Sequence, residues 1–199
     1  MTLREMKMER TRELIGEVAF TLFRDKGFAA TTVEEIAAAA EVGARTVYRH
    51  YPTKEMLALS GFAEVFETAL NDLRACPEDT AVPDVLNVIL ESVLQSHLKK
   101  PRQLLTAYKI AQVTPSVLAH FAYSMRDWQA ELRREVADRI GGRSADLTAE
   151  LAVAQTAAVF ILAFRKWFET DGRADLRRLT GEMLELLRSG EVPVPTRMC

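Results

Sequence analysis

Hydrophobic residues recur at helical spacing from the first part of the chain onward. Ile15, Val18 and Leu22 follow one another at three- and four-residue steps, and Phe23 extends the same stripe. This period places the side chains on one face of a helix. Gly27 comes directly after the stripe, where glycine commonly ends a helix in a left-handed conformation. The pattern therefore predicts a first helix that buries this face and ends at Gly27.

Two short helices are predicted next. Thr32 and Glu35 stand three residues apart before an apolar run, the spacing of a capping box, in which each side chain bonds to the other residue's backbone amide. Gly43 breaks this second helix. A third helix covers residues 44–50, and Pro52 stops it because the residue before a proline disfavours helical angles.

The rest of the chain repeats the same kind of signal. Thr53 can cap a long fourth helix that continues to Leu73, and prolines and glycines mark out five further helical segments. These segments are 83–100, 102–113, 115–141, 144–170 and 175–190. No segment alternates in twos for long enough to form a strand. The sequence predicts an all-α protein of about nine helices.

Composition and charge narrow the class of protein. The 199 residues are 48% hydrophobic and 27% charged, which excludes disordered and fibrous proteins. The net charge of −2 means that any contact with nucleic acid must come from a local patch. The strongly apolar stretch 151–164 carries no charge, but it is too short to span a bilayer. With only two cysteines and no C-x-x-C motif, we expect a cytoplasmic protein with no membrane partner.

The motifs that accompany catalysis are missing from the sequence. His50, His97 and His120 lie far apart, and none has a second ligand at a metal-binding helical spacing. There is no G-x-S-x-G motif and no Gly-rich phosphate loop. We therefore expect no catalytic residue, no metal and no cofactor. One alternative remains, a helical enzyme in which a segment resembling a helix-turn-helix is incidental. A gel shift with the intergenic DNA beside its own gene would distinguish such an enzyme from a DNA-binding protein.

The segment most informative about function contains the two short helices. Residues 44–54 include Arg45, Arg49, His50 and Lys54 but no acid, and threonine and tyrosine hydroxyls are interleaved with these bases. Side chains of these types bind phosphate oxygens and base edges. Two short helices joined by a tight break predict a helix-turn-helix at about residues 32–51. A short basic helix on a solvated surface is the alternative interpretation.

Residues 8–67 resemble the DNA-binding domain of the TetR family of bacterial transcriptional regulators. The resemblance rests on Gly27-Phe28, Thr31-Thr32-Val33, Ile36-Ala37 and the run from Val42 to Glu55. Two positions depart from the family pattern: Glu41 stands where a turn glycine is usual, and Gly43 where a serine usually caps the recognition helix. Glycine is also an acceptable cap, so we expect the fold to survive both changes.

The resemblance implies a set of DNA contacts. Thr32, Tyr48, His50, Tyr51 and Lys54 are expected to contact phosphates, although part of Tyr51 is expected to pack in the core. Arginine can bond guanine O6 and N7 together, so the variable surface of the third helix is expected to read bases. The complete predicted set is Thr32, Ala44, Arg45, Thr46, Tyr48, Arg49, His50, Tyr51 and Lys54.

The resemblance also implies a six-helix ligand-binding and dimerisation domain at residues 75–190, followed by a tail at 191–199. Residues 164–169 resemble the corresponding segment in a subgroup of these regulators that senses acyl-CoA-like ligands. A hydrophobic or acyl-CoA-like effector is therefore expected. The predicted pocket residues are Tyr108, Phe121, Met125, Trp128, Phe160 and Phe164. The predicted residues of the dimer interface are Leu151, Ala158, Leu176, Leu179 and Met183.

The resulting hypothesis is a homodimeric, ligand-responsive repressor that binds a palindromic operator through its three-helix heads. An activator, or a regulator that needs no ligand, would carry the same head. These alternatives differ in whether an effector changes the affinity for the operator.

Overall fold

The computed structural model of the chain describes residues 2–193 and consists of α-helices joined by short connections. Over these residues there are ten helices and no strand, so the predicted all-α class is confirmed. The helices are α1 (Leu3–Lys26), α2 (Val33–Ala39), α3 (Ala44–His50), α4 (Lys54–Ala58), α5 (Ser60–Ala75), α6 (Val82–Lys99), α7 (Pro101–Val113), α8 (Pro115–Ile140), α9 (Ala145–Glu169) and α10 (Leu176–Arg188). Positions 194–199 of the predicted tail lie outside the described residues.

The extra helix arises because the predicted fourth helix is broken at Leu59. This residue has φ −97° and ψ 6°, which ends α4 before α5 begins. Ser60 and Gly61 follow the break directly, and helices commonly bend at such Ser/Gly pairs. The prediction of one continuous helix from Thr53 to Leu73 is therefore wrong. Leu59 is buried, and its side chain packs into the core at this bend.

The chain forms two compact units. The first comprises the residues up to 65 together with 102–127, and the second comprises 66–101 together with the residues from 128 onward. In the first unit a Cβ on Gly61 would lie 3.2 Å from the Leu104 side chain, so α5 and α7 approach closely there. Ser116 on α8 donates a hydrogen bond of 3.0 Å to the Glu55 carboxylate on α4. The first unit therefore contains α7 and the start of α8 in addition to the predicted head.

Helix ends follow the predicted capping chemistry. The Thr32 hydroxyl accepts from the Glu35 amide at 3.1 Å, while the Glu35 carboxylate accepts from the Thr32 amide at 3.0 Å. Gly27 adopts φ 84° after α1, the left-handed region that favours glycine. These contacts confirm the predicted start of α2 and end of α1.

The core of the second unit combines four helices. Leu70 and Leu73 of α5 pack with residues of α6, α8 and α9 in one hydrophobic cluster. The other buried members are Val85, Ile89, Leu132, Val136, Ala137, Ala149 and Val153. Arg74 bridges Glu131 and Glu135 at 3.1 Å on the surface beside this cluster, which ties the end of α5 to α8.

His97 is buried in the second unit, with only 2% of its surface exposed. Its Nδ1 lies 2.7 Å from the Val93 carbonyl oxygen, and its ring packs on Phe160 and Phe164 at centroid distances of 4.7 and 5.1 Å. Burial lowers the pKa of His97 from 6.5 to about 4, because the charged imidazolium loses its hydration. The folded protein therefore holds this histidine neutral.

We expect His97 to make the stability of the protein fall in acid. Between pH 6.5 and about 4, the unfolded chain binds a proton that the folded chain excludes, so the free energy of unfolding decreases as the pH falls. The total loss is about 3 kcal/mol. Urea unfolding of the wild type and His97→Leu, at one protomer concentration and several pH values, measures the effect. The variant should gain on the wild type as the pH falls from 7 to 4, whereas a constant difference would contradict the assignment.

Candidate nucleic-acid interface

The exposed Thr32 begins α2 with a hydroxyl that is only partly used. Its oxygen accepts the capping bond from Glu35, which leaves the O–H free to donate to a phosphate oxygen. Lys26 holds Glu35 through a 2.9 Å ion pair, and this hydrogen bond is the main reason that the pKa of Glu35 is lowered. The carboxylate thus stays ionised and keeps Thr32 in place.

The turn between α2 and α3 explains both departures from the family pattern. Glu41 adopts φ 54°, so it occupies a left-handed position that a glycine would take with less strain. Gly43 has φ −76°, an angle open to any residue, and it makes no side-chain capping bond to α3. An added Cβ at Gly43 would meet nothing within 4 Å. The turn therefore forms without either usual residue.

The third helix presents its basic side chains to solvent. Arg45, Tyr48 and Arg49 are exposed, whereas Val47 is 1% exposed and points into the core. Ala44 and Thr46 are half-buried beside them. The helix therefore has an anchored face and a face available to DNA, as the predicted roles of Arg45 and Arg49 require.

Tyr51 belongs to the core of the first unit. It is 4% exposed, and its hydroxyl donates a 3.1 Å hydrogen bond to the Arg12 carbonyl. A Cβ at Gly16 would lie 3.3 Å from this hydroxyl, so a larger residue there would have to displace it. The ring packs in the core, as expected for part of this residue, and the hydroxyl fixes α3 against α1. A phosphate contact of Tyr51 stays a prediction.

His50 is half-buried at the end of α3. Burial lowers its pKa, and the nearby Arg49 and Arg12 charges lower it further. A histidine whose pKa lies below 6.5 is neutral at pH 7, so it contributes a hydrogen-bonding group rather than a charge. Its Nε2 is buried and has no hydrogen-bond partner among the described residues.

Lys54 is directed inward, contrary to its predicted contact with phosphate. Its ammonium donates to the carbonyl oxygens of Phe28 at 2.9 Å and Thr31 at 3.0 Å, and it lies 4.3 Å from the centre of the Phe28 ring. The ammonium group therefore stabilises the connection between α1 and α2. Thr32, a predicted phosphate contact, is the next residue of that connection, so Lys54 holds the backbone directly before it.

The predicted pocket residues fall into both units. In the first unit, the Phe121 ring lies 4.8 Å from Phe62 and 6.4 Å from Tyr108, with Met125 half-buried on the same helix as Phe121. In the second unit, Trp128 stacks on Phe66 at 4.8 Å and donates a 3.0 Å hydrogen bond to its carbonyl.

Phe160 and Phe164 of the second unit pack on His97, a residue that sequence reasoning missed as a member of this site. Its signal was local: His97 follows Val93 and Leu94 at the spacing of the apolar face of α6. The three rings form one aromatic cluster, made of His97, Phe160 and Phe164.

The residues predicted for the dimer interface differ in how far they are buried. Leu151 and Ala158 are exposed on α9, and Met183 is half-buried on α10. Leu176 and Leu179 are 1% and 8% exposed. Their prediction as interface residues is corrected, because these two leucines already pack inside their own chain.

Comparison with known proteins identifies both halves of the sequence. The family model described as bacterial regulatory proteins of the tetR family matches residues 15–60. The model described as the MftR C-terminal domain matches residues 81–192. Among curated proteins, the transcriptional regulator TcmR of Streptomyces glaucescens is 30% identical over 173 residues, which cover 83% of this chain and 76% of TcmR. The regulator MftR of Mycobacterium tuberculosis is 25% identical over 183 residues, which cover 88% of this chain and 88% of MftR.

Solved structures share the fold. NalD of Pseudomonas aeruginosa, a repressor of a multidrug efflux pump, superposes with a TM-score of 0.64 at 23% identity, over 92% of this chain and 97% of NalD. The repressor FadR of Thermus thermophilus, solved in complex with lauroyl-CoA, gives a TM-score of 0.52 at 23% identity, over 94% of this chain and 98% of FadR.

The inward position of Lys54 gives a test that separates positioning from charge. We expect Lys54→Met to lower the free energy of unfolding by about 1–3 kcal/mol, because two backbone carbonyls lose a charged hydrogen-bond donor. DNA affinity should fall, whereas the salt dependence of binding should keep its slope. Loss of a phosphate contact would instead make the slope shallower by about 0.9.

Arg45→Ala is the comparator, since Arg45 is exposed and forms no ion pair within residues 2–193. It should change the preference at one base pair of each half-site and leave thermal stability unchanged. If Lys54→Met instead made the salt dependence of DNA binding shallower and left the stability unchanged, Lys54 would be a phosphate contact as first predicted.

Proposed function

Because the chain belongs to the TetR family of bacterial transcriptional regulators, we propose that it is a ligand-responsive repressor that binds a palindromic operator as a homodimer. The family identity makes it a DNA-binding regulator and not an enzyme. Regulators of this family bind operator DNA, form dimers and bind ligands through the C-terminal domain. Repression, the dimer interface and the effector class of this chain are the parts that we propose, with the cytoplasm as its location.

The observation that carries the proposal is the two-sided character of α3. Val47 anchors one face in the core, and the opposite face presents Arg45 and Arg49. Each guanidinium can form a paired hydrogen bond with a guanine edge in the major groove. We assign base reading to Arg45 and Arg49, and phosphate contact to the Thr32 and Tyr48 hydroxyls.

A homodimer is supported by the surface of α9. Leu147 and Leu151 are 72% and 65% exposed, and Ile161 and Leu162 are also exposed farther along the helix. With Ala158, they form a stripe in which Leu147, Leu151 and Ala158 follow at steps of four and seven residues, and Ile161 and Leu162 lie three and four residues after Ala158, so all five share one helix face. One recognition helix reads only a few base pairs, so a second copy about 34–36 Å away along the duplex supplies the other half-site.

An apolar effector is supported by a relative and by the chemistry of the second unit. FadR was solved with lauroyl-CoA, and residues 164–169 of this chain resemble regulators that sense such ligands. The aromatic cluster of His97, Phe160 and Phe164 offers uncharged surface of the kind that an acyl chain contacts. An activator or a ligand-independent regulator is the second candidate, favoured if no effector alters DNA binding.

The dimer proposal is tested with Ala158→Arg. A guanidinium in the middle of the exposed α9 stripe would have to be desolvated against a second copy, so we expect a monomer that has lost specific binding to the intergenic DNA beside its own gene. Sedimentation and gel shifts measure the two properties.

Ala130→Arg is the matched control, since Ala130 is exposed on α8 and lies outside the α9 stripe. It should remain dimeric and bind DNA normally. A fully dimeric Ala158→Arg protein would place the interface elsewhere.

The effector proposal is tested with lauroyl-CoA as the probe. We expect it to lower affinity for the intergenic DNA at least tenfold, which corresponds to a coupling of about 1.4 kcal/mol. By linkage, the DNA must weaken lauroyl-CoA binding by the same factor.

Coenzyme A alone is the control and should leave DNA binding unchanged. Phe160→Ala should weaken lauroyl-CoA binding while preserving affinity for DNA without ligand. Unaltered DNA binding at saturating lauroyl-CoA would exclude this ligand class.

A further inference from the structure

A groove of about 590 Å³ lies in the first unit between the first half of α1 and the end of α3. Arg4 and Lys7 line it from α1, and Arg49 and His50 line it from α3. Arg4 and Lys7 are three residues apart, so they are neighbours on one helix face. The groove thus gathers three cations and one imidazole from two helices.

No carboxylate neutralises these cations. None of the residues that line the groove is acidic, and Arg4, Lys7 and Arg49 form no ion pair within residues 2–193. On the neighbouring part of α1, Glu5 caps Thr2, while Glu9 lies 4.0 Å from Arg12 and its charge partly opposes the lowering of the His50 pKa. Three like charges around one groove repel one another, and an anion in the groove would relieve that repulsion.

The imidazole of His50 lines the groove beside the three cations. Its Nε2 is buried and makes no hydrogen bond within the described part of the chain. The groups that an anion in the groove can reach are therefore the exposed side chains of Arg4, Lys7 and Arg49.

The position of the groove indicates which anion it serves. Arg49 and His50 belong to α3, whose exposed face we assign to operator DNA, so a duplex bound there brings phosphates near the same residues. Arg4 and Lys7 lie outside residues 15–60, the part matched by the family model.

We propose that this groove binds a backbone phosphate of the operator, with Arg4 and Lys7 as the ligands that α1 adds to Arg49. The proposal rests on the DNA-binding function and extends the footprint of each head beyond α2 and α3. These contacts do not read bases, so they raise the affinity for every sequence alike.

The test is the salt dependence of binding to a mixed-sequence duplex of about 30 base pairs, long enough for two half-sites. Arg4→Ala/Lys7→Ala should weaken binding severalfold and make the slope of log affinity against log salt shallower by about 1.8, as expected for two lost phosphate neutralisations. Thermal stability should not change, because both side chains are exposed and unpaired within residues 2–193.

Arg102→Ala/Arg143→Ala is the control for net charge. It removes the same two charges at exposed positions outside the groove and should keep the wild-type slope. Equal slopes for both double variants would overturn the proposal, as would weaker binding at an unchanged slope. If the wild type bound no duplex at any salt concentration, the DNA-binding function itself would fail, which is a different outcome from a groove variant that matches its control.

Discussion

The recognition helix depends on the burial of Val47 and Tyr51 against the rest of the head. α3 has only seven residues and no side-chain cap, and isolated helices of this length are not stable in water. Its conformation therefore comes from tertiary contacts. Val47 fills the core, and the Tyr51 hydroxyl bonds to the Arg12 carbonyl of α1. Gly16 permits this close approach, so the orientation of α3 is set by the bond between the Tyr51 side chain at its C-terminal end and the backbone of α1.

The same requirement divides the basic residues of the head into two groups. Lys54 and Lys26 hold the protein together: Lys54 binds two loop carbonyls and Lys26 pairs with Glu35. Arg45 and Arg49 have no such partner within residues 2–193. A basic side chain is available to DNA when it has no hydrogen-bond or ion-pair partner in the protein. Exposure or sequence position alone does not decide this. The local sequence cannot make this division, since all four residues carry a positive charge at neutral pH.

The sequence predicted what depends on near neighbours and missed what depends on distant ones. The capping box of Thr32 with Glu35 and the end of α1 at Gly27 are local, and both were predicted correctly. The bond from Tyr51 to Arg12 spans 39 residues, and the bonds from Lys54 span 26 and 23. Periodicity and capping contain no information about such contacts.

The burial of Leu176 and Leu179 was missed for a related reason. An apolar residue on a helix face can pack on its own chain or on a partner, and only the fold distinguishes them. Leu151 and Leu176 have the same side chain, yet one is 65% exposed and the other 1%.

The α9 helix shows how burial resolves what composition leaves open. By length and composition it is the one helix among the described residues that could cross a membrane, yet helices of soluble cores have the same composition. Its face with Ala149, Val153 and Ala163 is buried in its own chain, while the face with Leu147 and Leu151 is exposed. A helix that is apolar on both faces needs cover on both. The first is covered by the core of the second unit, and a second copy of the same stripe covers the other face in the proposed dimer. The surface that most resembles a membrane span is then the one that would bring two DNA-binding heads together.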